Sequence, residues 1–207
     1  MKHLLTYSLL AVCILITSCS SDRFEEEQTF QKRSAIVTSN TTSQLISNQR
    51  SSGITEGYCI TTALIAGQNM TAGTVDVSYD GTYLTITYST TAEWTIGVTH
   101  LSIGSCADDP IPTSGSGNPM VGQFEYNDTH PAGTHEVTYL IDASDLDDNY
   151  CFAAHAEVHA ATSDETAWAE GLDFPGNNWA MYVSSNLSDC PDTSTDDGDT
   201  DDGDTGR

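Results

Sequence analysis

His155, Glu157 and His159 occupy alternate positions of the apolar run 151–160. Two imidazoles and a carboxylate are donors that zinc and related transition metals accept. In an extended chain alternate residues share a face but stand about 7 Å apart, so one ion would need a further donor, for which His100 or His135 is available. The competing role for the trio is a polar, solvent-facing stripe on an antiparallel strand. A second constellation is Trp168, Glu170, Asp173 and Phe174, with Glu165 and Trp179 nearby in sequence. Carboxylates and carbonyls on an irregular loop suit Ca²⁺, and an indole beside polar groups suits the C–H face of a sugar ring. The alternative for Trp168 and Trp179 is to fill the core. No catalytic residue is assigned. Nineteen Asp and Glu between residues 51 and 190 make a chance carboxylate pair certain, and no G-x-S-x-G nucleophile elbow occurs.

Charge narrows the ligand classes. Lys2, Arg23, Lys32, Arg33, Arg50 and Arg207 are the six basic residues, so 51–190 carries a formal charge of −19 with histidine neutral. Nucleic acid is excluded, because its binding relies on Lys and Arg against phosphate. Self-repulsion on this scale is relieved by salt or divalent cations. The end of the chain holds two copies of Asp-Asp-Gly-Asp-Thr and lacks the Gly and Glu placement of an EF-hand loop, so loose Ca²⁺ binding is the most it predicts.

The cysteines set the compartment. Lys2 and His3 precede an apolar stretch that ends in Ile16-Thr17-Ser18-Cys19, too short for a bilayer span of roughly 20 residues. This resembles a bacterial lipobox, which implies cleavage after residue 18 and lipid on Cys19. Several acyl chains would hold the protein in a membrane. The acidic run after Cys19, Asp22 to Glu27, is similar to the surface-export signal of Bacteroidetes lipoproteins. That resemblance implies an outer-membrane, cell-surface location. Cys13 leaves with the signal, so Cys59, Cys106, Cys151 and Cys190 remain to form two disulfides outside the reducing cytoplasm. Three pairings exist. Cys106–Cys151 with Cys59–Cys190 is favoured, because the second bond would tie the first strand to the last.

The elements that position these residues read as strands. Val75 to Tyr79 and Thr82 to Tyr88 alternate about Asp80-Gly81, a type I′ turn pair that would set Val77 opposite Leu84 and Val75 opposite Ile86. In 151–160 the even positions are apolar. Segments 58–66, 94–103, 136–141 and 178–184 also fit strands, and a phase change in 94–103 predicts a bulge near Gly97 or Thr99. About seven short strands with turn chemistry between them predict an all-β domain, a single antiparallel β-sandwich. The proline- and glycine-rich connection 105–135 should cross between sheets or lie on the surface. The domain plan is thus a signal at 1–18, a flexible tether at 19–52, the sandwich at 53–190 and a disordered tail at 191–207.

Thr99-His100-Leu101, Gly117-Asn118-Pro119 with Gly122-Gln123-Phe124, Ala153 to Val158, Glu165 to Gly171 and Asn178-Trp179-Ala180 together resemble a pattern of uncharacterised secreted bacterial and archaeal β-rich domains. The resemblance spans most of 58–185 and implies no activity. The leading expectation is a non-enzymatic surface lipoprotein for binding or adhesion, with polysaccharide or envelope proteins as partners. A structural or accessory subunit of an outer-membrane complex and a metal-dependent hydrolase are the alternatives.

Overall fold

The computed structural model describes residues 35–41 and 57–191. Cys19 and the tail beyond 191 lie outside the described residues. The protein is all-β. Among the described residues eleven strands run β1 (Ala35–Thr41), β2 (Ile60–Ala66), β3 (Met70–Tyr79), β4 (Tyr83–Thr90), β5 (Trp94–Ser105), β6 (Tyr126–Thr129), β7 (Thr134–Asp142), β8 (Asn149–Ala160), β9 (Asp164–Ala169), β10 (Leu172–Asp173) and β11 (Met181–Asn186). That exceeds the expected seven. All neighbours pair antiparallel in the order β1-β7-β4-β3-β2-β9-β8-β11-β10, with β5 also on β8 and β6 on β5.

The strands therefore form one continuous, curled sheet rather than two separate ones. The joint between its halves is short: three residue pairs link β2 to β9, from Leu64 opposite Ala169 to Ala66 opposite Ala167. Curling brings β4 and β7 against β5. The Tyr88 hydroxyl donates to the His100 carbonyl at 3.0 Å, and the Tyr139 hydroxyl lies 2.6 Å from Thr99 Oγ1. Enclosed between are Val75, Val77, Leu84, Ile86, Tyr88, Ile96, Leu101, Tyr139, Phe152, Ala154, Ala156 and Val158. These are the inward positions of period-two strands. Buried Tyr88 and Tyr139 hold their hydroxyl protons far above neutral pH, because burial disfavours the phenolate.

The β3–β4 hairpin keeps the expected faces but not the expected register. Val77 pairs with Ile86 and Val75 with Tyr88, a shift of two residues. The cause is Asp80. Its carboxylate accepts the N–H groups of Tyr83 at 2.6 Å and Thr82 at 2.8 Å, which moves the turn one residue on. Those two bonds also hold the Asp80 carboxyl below its usual range. A slip of two preserves side-chain parity, so the apolar pattern could not distinguish the registers. The bulge in β5 falls at Gly97, between Ile96 and Val98 opposite β8.

Gly73 shows where a side chain cannot go. A Cβ there would stand 1.8 Å from the Ser89 carbonyl oxygen on the paired strand. Gly73→Ala must push β3 and β4 apart, and a loss of roughly 2–4 kcal/mol is expected in urea unfolding.

Residues 35–41 depart from the tether reading. They form β1 and pair with β7 from Ala35 opposite Ile141 to Thr41 opposite Thr134. A Ser- and Thr-rich composition hides such a strand because the partner's open edge supplies the backbone bonds.

Both favoured disulfides are present, Cys59–Cys190 and Cys106–Cys151. The ion pair found among the described residues is His159 Nδ1 with Asp164 Oδ1, at 2.7 Å and solvent-exposed. No Lys or Arg occurs between residues 51 and 190, so the charge of that stretch stays strongly negative. Raising NaCl from roughly 10 mM to 500 mM is expected to raise the melting temperature by several degrees as the Debye length falls from about 30 Å to a few ångströms. A melting point indifferent to salt would remove self-repulsion from the account.

Candidate functional site

The outward face of β8 is covered, which its alternating pattern did not reveal. Cys151, Ala153 and His155 point away from the main core yet are buried. A second apolar cluster of Ile111, Phe124, Cys151, Ala153, Trp168, Phe174 and Ala180 lies over them. The connection 105–135 folds back across this face, pinned by two anchors. One is the Cys106–Cys151 disulfide, which bonds the start of the connection to β8. The other is Glu125, whose carboxylate accepts from the Ile103 N–H at 2.6 Å and from the Ser102 hydroxyl at 2.7 Å. From the opposite side, β10, β11 and the turn between them complete the cover.

Residues from segments 99–101, 117–124, 153–158, 165–171 and 178–180 meet here. His100 of β5 and His155 of β8 are directly opposed, with Nδ1 atoms 3.2 Å apart. The His155 ring lies 4.7 Å from that of Trp168, which in turn meets Phe124 edge-on at 6.4 Å. Above them the Asn178 amide donates to the Asn118 side-chain oxygen, joining the two covering loops. Burial and the neighbouring His100 hold His155 in its neutral form, with its pKa pushed down to about 3. Burial lowers His100 as well, with Glu157 opposing the shift.

The expected metal trio is not assembled. His155 is turned in against His100 and Trp168, while Glu157 is exposed and His159 is paired with Asp164. Among the described residues no three His, Cys, Asp or Glu side chains converge as a ligand group. Strand spacing and the sideways pull of different partners separate them. His135 is also elsewhere, buried with its Nδ1 3.2 Å from the Thr90 hydroxyl.

The expected ligand-binding set is split too. Trp168 and Phe174 are interior, with 5% and 6% exposure, whereas Glu170 and Asp173 face solvent. A buried indole cannot present its face to a sugar. On this cover the aromatic rings that stay half-exposed are Tyr182, 5.1 Å from Phe174, and Trp179, packed at the cluster's margin. Sequence reading passed over Tyr182, although it alternates with Met181 and Val183 on a β-strand.

Two recesses open on this cover. The larger, about 630 Å³, runs past the Cys106–Cys151 disulfide and is lined by Asp109, Pro112, Leu172, Phe174, Pro175 and Tyr182, among others. Asp109 takes a left-handed backbone, with φ at 47°. The smaller, about 190 Å³, lies between Asn118, Pro119, Asn178 and Trp179, with Trp168 at its base. The covering loops separate them: Gly117 lines the first recess and Asn118 the second. Size and lining place the larger within the range of small-ligand sites.

Comparison with protein-family models, with curated proteins and with solved structures yields no match.

Proposed function

We propose that this chain is a lipid-anchored cell-surface binding protein whose looped-over face takes a neutral carbohydrate. The observation that carries the reading is the pair of half-exposed aromatic rings, Tyr182 and Trp179, each lining a recess on one covered face. The lining is apolar with a few polar groups, among them Asp109, Thr113, Ser184 and the Asn118 and Asn178 amides. Such surfaces stack sugar rings and bond their hydroxyls. The −19 formal charge of 51–190 disfavours anionic glycans and phosphorylated ligands. Ca²⁺ would act by screening, or at exposed Glu170 and Asp173.

Lipid on Cys19 and residence at the outer membrane belong to the same reading, supported by the Ile16-Thr17-Ser18-Cys19 sequence and by two disulfides in the domain. A glycan array probed with and without Ca²⁺ tests the binding role. Tyr182→Ala is expected to lower the affinity for a bound neutral glycan at least tenfold, with Trp179→Ala acting in the same direction. A folded protein that binds no glycan in either condition would overturn the carbohydrate role and move the assignment to an accessory subunit of an envelope complex.

A further inference from the structure

We propose that His100 and His155, joined by Glu157, form a binding site for one zinc-class transition-metal ion at the junction of β5 and β8. The site goes beyond carbohydrate binding and does not depend on it.

The two imidazoles meet through their Nδ1 atoms at 3.2 Å, and the residues are 8% and 6% exposed. Two nitrogens bound to one tetrahedral zinc at about 2.0–2.1 Å lie about 3.3–3.4 Å apart, so the pair already stands at nearly that separation. The register fixes it: His100 opposes His155 directly across two long paired strands. Trp168 packs on the His155 ring and limits its tilt. Without an ion, the same approach is a hydrogen bond in which one Nδ1–H donates to the other nitrogen.

Glu157 does not converge on the pair as the structure stands and would supply the third donor by turning toward it. It opposes Val98, which shares a strand face with His100, so Glu157 is the diagonal neighbour of His100 and the same-face neighbour of His155. Its side chain is exposed and can turn without unpacking anything. Water would complete four-coordination. His159 has no part: it is engaged with Asp164.

Cobalt(II) titration of the full chain tests this, because four-coordinate and six-coordinate cobalt differ in visible absorption. One equivalent should produce the intense bands of a four-coordinate site, and zinc should displace it. His100→Ala and His155→Ala are expected to abolish the bands, Glu157→Gln to weaken zinc binding at least tenfold against a chromophoric chelator, and His159→Ala to leave both unchanged. Glu157 and His159 are exposed, so those variants fold even where a buried histidine is not replaceable. A wild-type chain that shows only the weak bands of six-coordinate cobalt overturns the proposal. Bands that survive in a folded Glu157→Gln with undiminished zinc affinity, or that depend on His159, overturn the ligand set.

Discussion

Replacing Cys59 and Cys190 together with Ala is expected to cost about 5 kcal/mol of unfolding free energy by the chain-entropy model. The bond spans a sequence separation of 131 and encloses β2 through β11. It fastens the residue before β2 to the short 3₁₀ turn Leu187–Asp189 after β11, two places where side-chain packing is thin. The Cys106–Cys151 bond closes a separation of 45, for which the same model gives about 4 kcal/mol. Its loss should also loosen the start of the 105–135 connection, still held at Glu125, and make Trp168 more accessible. Urea unfolding of the two double variants, followed by tryptophan fluorescence, separates these effects. Cys59/Cys190 should lower the midpoint with the native emission of the three tryptophans retained at zero urea, and Cys106/Cys151 should shift that emission to the red. Midpoints within a few tenths of a molar of the parent would sink the argument that the disulfides hold this small, highly charged domain together.

Acid should weaken the fold through His155. Its folded pKa is lowered to about 3 by burial and by His100, against an ordinary value of 6.5. Its contribution is therefore complete above pH 6.5. Below that pH the unfolded chain takes up a proton that the native state refuses, and stability falls by about 1.4 kcal/mol for each pH unit until the native group also titrates near pH 3. Roughly 2–3 kcal/mol should be lost between pH 7 and pH 4.5. His100 adds to the loss with the same sign. The carboxylates act the other way, because acid quenches their mutual repulsion. A comparison isolates the histidine: in chelator, His155→Gln should show a shallower fall in urea midpoint from pH 7 to 4.5 than the parent. Parallel slopes for the two proteins would mean His155 is not the group that titrates.

The site was only partly legible in the chain because burial on a sheet's outer face is a property of what folds over it. In 151–160 the even residues were recognisable as core from their apolar period, and Phe152, Ala154, Ala156 and Val158 are fully buried. The odd residues include two histidines and a glutamate, which read as a wet face. Cys151, Ala153 and His155 are instead covered, in part by a connection whose prolines and glycines carry no period. The same blindness put Trp168 among the ligand-binding residues. Trp168 sits in β9, a strand with no clean alternation, and is buried; Trp179 sits in a loop and stays partly open.

The sequence by itself determined the all-β class, the faces of its alternating strands, the bulge in β5 and the electrostatic sign of the domain, since each follows from local residue pattern or from counting charge. The tertiary structure alone decided which half of an alternating strand meets water, which register the β3–β4 hairpin adopts and which histidine faces His155. Those outcomes depend on contacts between segments far apart in the chain. A period of two specifies parity along one strand, but it carries no information about the partner or the cover that another segment brings.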